Sequence, residues 1–161
     1  WFSHAARLGT QITGASDHGV SEAIYLDDPE GNGVEVYVDK PRKTWPTQAG
    51  GHLSFPTRRL DLKALVKDVD VGRSFWVATD TRIGHLHLSV GSISETQEFF
   101  VDALGFKIRN DLGTAQFYGS GGYHHHVAVN TWQPVRAARR PERAFGLAEY
   151  TLVMHEQPEF D

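Results

Sequence analysis

The feature that most limits how this chain can fold is a strand–helix–strand–strand–strand pattern between residues 83 and 130. Apolar and polar residues alternate from Ile83 to Val90, which predicts a strand with one buried face. Ser92 to Leu104 has the spacing of an amphipathic helix, which serine can cap at the start and which ends at Gly105. The apolar stripe predicted for this helix consists of Phe99, Phe100, Ala103 and Leu104. The three strands predicted after it are Phe106–Asn110, Thr114–Tyr118 and His124–Asn130.

An earlier part of the chain predicts a β-hairpin. Glu22–Leu26 and Val34–Val38 are strand-like, and Asp27–Gly33 between them contains Asp, Pro, Asn and Gly. Proline restricts one backbone dihedral and glycine adopts positive ones, so this segment predicts a compact connection between the two strands. Residues 41–56 lack periodicity and predict a linker. This linker begins the connector, the stretch between the hairpin and residue 83. Within the connector, Leu60–Val69 predicts a short amphipathic helix.

These elements place the chain in the α+β class and divide it into four segments. The predicted segments are a region with the hairpin (1–45), a linker with a short helix (46–82), a βαβββ module (83–132), and a loop with one further strand (133–161). The strand in the last segment is predicted at Leu147–Met154 because its residues again alternate.

The composition excludes several kinds of protein. The net charge is −4 and the basic residues form no long block, so a nucleic-acid partner is not expected. No run of about 18 apolar residues is present, so no membrane-spanning segment is expected. The chain has no cysteine, which excludes disulfides and thiolate metal sites and is compatible with a cytoplasmic location. With nine histidines, a transition-metal site would use imidazole and carboxylate ligands.

The first candidate site is the hairpin and the loop before it. His18 precedes the hairpin, Tyr25 lies on its first strand, and Glu35 lies on its second. The turn would set the register of the two strands, and so the position of Glu35 relative to Tyr25. A carboxylate that points inward is costly to desolvate unless a cation neutralises it, whereas one that points to water needs no such partner. The residues alone leave both orientations of Glu35 open.

The second candidate group is rich in histidine. His85 and His87 share one face of their predicted strand. In the run at residues 124–126, strand alternation would place the first and third histidines on one face and the second on the other. Imidazole binds transition metals and exchanges protons near neutral pH, so these side chains are candidates for either role. Exposed histidines without a function at a strand edge are the simpler interpretation.

The pattern from Asp17 to Glu35 resembles the signature of type I extradiol ring-cleaving dioxygenases: a His, an apolar–Tyr pair, Asp-Pro-x-Gly and a Glu. With the βαβββ order, it makes the chain similar to the two-domain catechol 2,3-dioxygenases of the vicinal oxygen chelate superfamily. The resemblance implies paired βαβββ modules whose curved mixed sheets surround a metal cavity. It also implies that residues 1–45 are the C-terminal part of one βαβββ module and that residues 133–161 contain the first strand of a further module. It also implies that Glu35 binds the metal, while His18 and Tyr25 stand near substrate and oxygen. One position departs from the pattern, Ser16, two places before the His.

The same resemblance extends to the histidine-rich part of the chain. It implies that His85 is a metal ligand and that His126 is an acid–base residue. Three other histidines could take the place of His85 or His126 in the site: His87, His124 and His125. A second ligating histidine would fall at Glu149 in the family pattern, so Glu149 is the third candidate metal ligand. A complete set of two histidines and one carboxylate, the usual ligands of non-haem Fe(II), is therefore not visible in this chain.

The resemblance further implies Fe(II), or Mn(II), as the metal, and a small aromatic diol and O2 as the substrates. The fold leaves a homodimer open. Two other functions also stay open on this scaffold. A glyoxalase-like isomerase or lyase would pair glutamate ligands with Ni(II) or Zn(II), which Glu149 would suit. A non-catalytic module would hold a flat aromatic ligand without a metal and would need no inward carboxylate.

Two arrangements of the whole chain fit this pattern. In the first, which we expect, the chain is an incomplete fragment from the middle of a longer protein, with half of each metal site. In the second, it is a permuted single domain in which Leu147–Met154 supplies a strand that the first half lacks. Glu35, His85 and one further residue would then share a site. That further residue would be His126 or Glu149.

Overall fold

A computed structural model describes residues 1–67, 69, 77–133 and 146–153 of the 161 residues. The chain forms two compact units. The first comprises Trp1–Pro46 and Phe55–Arg82, and the second comprises Thr47–Ser54 and Ile83–Asp161. Both units therefore contain part of the predicted connector. The predicted division into modules stays a prediction.

The first unit contains a four-stranded antiparallel sheet in the order β3-β2-β1-β4. Its described elements are α1 (Phe2–Arg7), β1 (Gly14–Asp17), β2 (Ser21–Asp27), β3 (Gly33–Asp39), a 3-10 turn (Arg42–Thr44), β4 (Arg58–Arg59) and α2 (Leu62–Val66). The short helix predicted in the connector is confirmed as α2. It begins after Asp61, because the Asp61 carboxylate accepts hydrogen bonds from the backbone N–H groups of Lys63 and Ala64.

The hairpin of β2 and β3 is confirmed, and its turn explains the register of the two strands. The Asp28 carboxylate accepts a hydrogen bond from the backbone N–H of Asn32 at 2.8 Å. Gly31 has a φ of 81°, a left-handed conformation that glycine adopts without steric cost. With the turn closed in this way, Tyr25 lies directly opposite Glu35 in the ladder.

Two strands of this sheet are absent from the sequence-based prediction. The small and polar residues of β1 lack apolar alternation, and β4 has only two residues, within the connector. β4 pairs with β1, with Arg59 opposite Ser16 and Arg58 opposite Asp17. Such a short pairing depends on contacts between distant segments, which a local pattern cannot show. In the described part of the chain, the connector thus completes this sheet. The permuted arrangement, in which Leu147–Met154 would do so, is not formed there.

The second unit has the predicted βαβββ order. Its elements are β5 (Leu86–Ser89), α3 (Ile93–Gln97), a π-helical continuation of α3 (Glu98–Ala103), β6 (Lys107–Asp111), β7 (Ala115–Gly119) and β8 (Val127–Asn130). The sheet order is β5-β8-β7-β6, with β5 parallel to β8 and the other pairs antiparallel. The α+β class with a mixed sheet is therefore confirmed. Among the helices of the described ranges, none has the length and apolar character needed to cross a membrane.

The apolar core of the second unit includes residues from the helical segment and the sheet. Its buried members are Phe100, Phe106, Tyr118, Val127 and Val129. Phe100 stacks on Tyr118, with 5.2 Å between the ring centroids. The predicted apolar stripe is wrong at Phe99, which is 51% exposed, whereas Phe100 is 3% exposed. Ala103 is exposed as well. The prediction assumed the α-helical period, but here the N–H of Leu104 donates to the carbonyl of Phe99, five residues back.

The strand predicted at Leu147–Met154 is not formed, because residues 147–153 have no strand in the structure. Alternating residues predict an extended backbone, but a strand also requires a neighbouring strand that shares ladder hydrogen bonds with it. Leu152 packs instead against the core of the second unit. Met154 and the arginine-rich stretch at residues 134–145 lie outside the described residues.

Tyr118 should make the stability of the protein sensitive to alkaline pH. Burial and, to a smaller extent, the negative charge of Asp111 raise the pKa of its hydroxyl to about 12. Below pH about 10, tyrosine is neutral in both the folded and the unfolded state. Between pH about 10 and 12 only the unfolded state loses this proton, so the free energy of unfolding should fall as pH rises. We expect urea unfolding at about pH 9 and 11 to show a smaller fall in the free energy of unfolding for Tyr118→Phe than for the unaltered protein. An equal fall in both proteins would contradict this.

Candidate functional site

His18, Tyr25 and Glu35 form a hydrogen-bonded chain in the first unit. Nε2 of His18 lies 2.7 Å from the hydroxyl of Tyr25, and this hydroxyl lies 3.1 Å from Oε1 of Glu35. All three side chains belong to residues of intermediate burial. The structure therefore brings together the three residues that the extradiol signature places in one site, while their roles stay predictions.

The hydroxyl of Tyr25 is at the centre of this chain, with one proton and two potential acceptors. It donates to Glu35 when the ring nitrogen of His18 is itself a donor, and it donates to His18 when that nitrogen has no proton. Burial raises the pKa of Tyr25, and the adjacent Glu35 carboxylate raises it further. The hydroxyl therefore keeps its proton at neutral pH and remains a hydrogen-bond donor.

The loop that contains His18 is closed by short polar contacts. The Asp17 carboxylate accepts a hydrogen bond from the backbone N–H of Gly19 at 2.8 Å and forms an ion pair with Lys40, also at 2.8 Å. The ammonium of Lys40 lowers the pKa of Asp17, against the opposing effect of burial. The backbone N–H of Lys40 also donates to the carbonyl of Val20 at 2.8 Å. These contacts tie the loop to the residue that follows β3.

The second unit contains a cavity of about 680 Å³ next to the start of β5. His85, His126 and Glu149 line it, so the other three predicted site residues also lie around one space. The apolar part of its wall includes Leu86, Phe106, Leu147 and Leu152. An apolar cavity with a few polar side chains is typical of a binding site for a small molecule.

The run of histidines precedes β8 and is not part of it, so the strand alternation predicted for residues 124–126 is wrong. His124 is fully buried, and its Nδ1 lies 2.8 Å from Nδ1 of His125. The ring of His125 lies 4.3 Å from that of His85. Burial lowers the pKa of His125, and the neighbouring His85 acts in the same direction. His125 is therefore neutral at neutral pH.

The cavity distinguishes the two preferred histidines from their alternatives. His126 lies at its wall, where the ring is 6.1 Å from that of Phe106 and Nδ1 accepts a hydrogen bond from the backbone N–H of Ser120. His87 contacts a different group, because its Nε2 lies 2.9 Å from Nδ2 of Asn130. The residues that line the cavity do not include His87, His124 or His125. The geometry therefore favours His85 and His126.

Comparison with known proteins supports the same family. The chain is 41% identical over 150 residues to the catechol-2,3-dioxygenase of Bacillus subtilis (strain 168), and the match covers 92% of this chain. The chain is extradiol dioxygenase-like. This match agrees with the resemblance to the vicinal oxygen chelate superfamily that the Asp17–Glu35 motif and the βαβββ order carry. The chain spans about half the length of this relative, 53%. A search of protein-family models found no match.

A solved structure with partial similarity to the chain was also found. It is 2,2',3-trihydroxybiphenyl 1,2-dioxygenase from the dibenzofuran-degrading Sphingomonas wittichii strain RW1, with 19% sequence identity and a TM-score of 0.24. The match covers 79% of this chain and 40% of that one.

The described residues of the chain do not fit a complete metal site. A non-haem iron site of this kind needs two histidines and one carboxylate around one ion. Across residues 1–67, 69, 77–133 and 146–153, no three or more His, Cys, Asp or Glu side chains are grouped so that they could hold a metal ion. A metal bound by Glu35, by His85 or by Glu149 would therefore need further ligands from outside these residues.

Pro56 also belongs to the candidate site, although no pattern in the sequence indicates it. Its carbonyl oxygen lies 3.0 Å from Nδ1 of His18, although the two residues are separated by 38 positions. The contact involves a backbone group, which every residue has, so no side-chain pattern indicates it. The one available signal was the position of Pro56 at the end of the linker.

Proposed function

We propose that the protein containing this chain uses O2 to cleave the ring of a small aromatic diol next to its two hydroxyl groups. The observation that carries this proposal is the hydrogen-bonded chain of His18, Tyr25 and Glu35. It occurs in a sequence that is 41% identical to a catechol-2,3-dioxygenase. A tyrosine or a glutamate on its own would be explained by packing or by contact with water. An imidazole, a phenol and a carboxylate joined by hydrogen bonds are instead the groups that transfer protons in catalysis.

The roles of the three residues follow from their chemistry. Ring cleavage of an aromatic diol requires its hydroxyl protons to leave, and imidazole is the side chain suited to exchange protons near neutral pH. His18 is therefore the residue that takes up and returns a proton. Tyr25, whose pKa is raised, keeps its proton and orients His18 relative to Glu35. Glu35 supplies the negative charge at the end of the chain.

The cavity of the second unit supports a related role for His126. The cavity has apolar walls that suit a flat ring, and both His126 and His85 lie at its surface. His126 would exchange protons with a bound diol, as imidazole does elsewhere in catalysis. This assignment is a proposal about the second unit by itself.

Oxygen consumption provides the direct test of the proposed function. We expect the purified protein, supplied with Fe(II), to consume O2 when catechol is added and to release a ring-opened product that mass spectrometry identifies. Resorcinol, whose hydroxyl groups are not adjacent, is the control substrate and should give no reaction. Equal consumption with both compounds, or none with catechol, would contradict the proposal.

We also propose that Fe(II), or Mn(II), is the metal and that Glu35 is one of its ligands. Replacing Glu35 with alanine removes a charged oxygen donor, so the iron or manganese content of the purified protein should fall. Glu30 lies in the turn of the same hairpin and is exposed, so Glu30→Ala is the matched control and should not change it. Elemental analysis measures both. Unchanged metal content in Glu35→Ala would show that this carboxylate is not a ligand.

The same measurement on His85→Ala distinguishes one shared site from two. If each unit contributes to a metal site of its own, the losses in Glu35→Ala and His85→Ala should add in the double variant. If the two residues share one ion, the double variant should lose no more metal than either single variant.

A second candidate function is metal-free binding of an aromatic ligand, and the cavity favours it. Its volume of about 680 Å³ is within the range of small-molecule sites, and its wall is largely apolar. Catechol binding that persists in the presence of a metal chelator, measured by calorimetry and lost in Phe106→Ala, would support this function. Binding that disappears with the chelator would contradict it.

A further inference from the structure

His18 is held at both nitrogens of its ring. Nδ1 lies 3.0 Å from the carbonyl oxygen of Pro56, and Nε2 lies 2.7 Å from the hydroxyl of Tyr25. A carbonyl oxygen only accepts hydrogen bonds, so Nδ1 must carry the proton that joins it to Pro56. The neutral ring then has no proton on Nε2. The lone pair of Nε2 therefore faces Tyr25, and Nε2 competes with Oε1 of Glu35 for the single hydroxyl proton of Tyr25.

Pro56 reaches this position because the connector pairs with the sheet. Arg58 and Arg59, just after Pro56, form β4 and are paired with Asp17 and Ser16 of β1. This pairing brings a segment from beyond the hairpin next to the loop that contains His18.

Two prolines of the connector also enclose the residue that follows His18. A Cβ atom on Gly19 would lie 2.7 Å from Cγ of Pro46 and 3.3 Å from Cδ of Pro56. Gly19 has a φ of +74°, which side-chain-bearing residues rarely adopt. The N–H of Gly19 is bound by Asp17 on the other side. The backbone beside His18 is thus held by the connector and by Asp17 together.

We propose that the connector is a positioning element for His18, in which the Pro56 carbonyl selects the Nδ1–H tautomer and Pro46 keeps the loop in place. The ring nitrogen that faces Tyr25 and Glu35 is then the one that can accept a proton. The catalytic meaning of this arrangement rests on the proposed function, but the arrangement itself does not. Pro46 and Pro56 are positioning residues, since they act through His18.

Nitrogen-15 NMR of the histidine side chains tests the tautomer directly. At about pH 8, two-bond ¹H–¹⁵N correlation spectra of the full chain distinguish a protonated Nδ1 from a protonated Nε2, and His18→Gln assigns the signal. We expect His18 to show a protonated Nδ1 and an unprotonated Nε2. The exposed His52 is the internal control and should show an average of the two tautomers. A protonated Nε2, or averaging at His18 like that of His52, would overturn the proposal.

A pair of glycine variants tests the proline contacts. In Gly19→Ala the new methyl group meets Pro46, so His18 should lose its single tautomer. Gly9→Ala is the matched control, because Gly9 has a φ of +68° and no atom within 4 Å of the added Cβ. It has the same backbone cost and should leave the His18 signal unchanged. An unchanged signal in folded Gly19→Ala would overturn the role of Pro46.

The variant Tyr25→Phe tests the Pro56 carbonyl even if Gly19→Ala does not fold. It removes the hydroxyl but leaves the bond between Nδ1 and Pro56, so the Nδ1–H tautomer should persist. A change to Nε2–H in this variant would show that Tyr25, and not Pro56, selects the tautomer. These spectra need no substrate or metal. A protein with the expected tautomer and no ring cleavage would therefore reject the proposed function and leave the positioning role intact.

Discussion

Replacing His18 with glutamine is expected to lower the rate of catechol cleavage by about 10²–10⁴-fold, the usual contribution of a general acid–base residue. Glutamine can still form hydrogen bonds with Pro56 and Tyr25, but it cannot exchange a proton near neutral pH. The loss should therefore appear in kcat, measured by oxygen consumption at saturating catechol, while the thermal unfolding temperature should change little.

Two control variants test whether the loss of rate is specific to His18. His52→Gln changes an exposed histidine outside the hydrogen-bonded chain, so its kcat should match that of the unaltered protein. Tyr25→Phe removes a hydrogen-bond donor that does not itself titrate, and we expect a smaller loss of about 10-fold, equivalent to about 1.4 kcal/mol. A His18→Gln variant that retains more than half of the rate would show that His18 is not the proton-transfer residue.

Replacing Phe100 with alanine is expected to lower the free energy of unfolding by about 3–5 kcal/mol. Phe100 is 3% exposed and is in ring contact with Tyr118 and Phe106 at 5.2 and 6.1 Å between centroids. Its removal would leave a cavity in a core that the sheet of the second unit cannot readily fill. Urea unfolding, followed by far-UV circular dichroism, would measure the change.

The neighbouring residue provides the matched control for this prediction. Phe99 lies in the same π-helical segment but is 51% exposed, so Phe99→Ala makes the same chemical change with little loss of burial. We expect it to change the free energy of unfolding by less than about 1 kcal/mol. Equal effects of the two substitutions would contradict the assignment of Phe100, rather than Phe99, to the core.

The local sequence correctly predicted the parts of the fold whose interactions are close along the chain. The turn at Asp28–Asn32 closes through hydrogen bonds within five residues, and this sets Tyr25 opposite Glu35. The βαβββ order of the second unit was also evident, because each strand has its own pattern of apolar residues. The pairing of Tyr25 with Glu35 was therefore available from the sequence, although the bond between them was not.

Other features depended on a choice that the local pattern leaves open. The helical period predicted both Phe99 and Phe100 in the core, but in the π-helical segment Phe100 is buried whereas Phe99 is 51% exposed. Alternation predicted a strand at Leu147–Met154, but residues 147–153 have no strand in the structure. In the run at residues 124–126, alternation predicted two faces, yet β8 starts only at Val127. In each case the backbone conformation depends on the neighbouring elements as well as on the residue pattern.

The sequence by itself determined the hairpin, the module order and the identity of the residues that could exchange protons or bind a metal. Only the tertiary structure decided how His18 is oriented, because the Pro56 carbonyl that contacts it lies 38 residues away. It also decided that His85, His126 and Glu149 line one cavity. The physical reason is the range of the interactions. Turn hydrogen bonds and apolar periodicity act over a few residues, whereas backbone contacts between distant segments form only when the sheet has assembled.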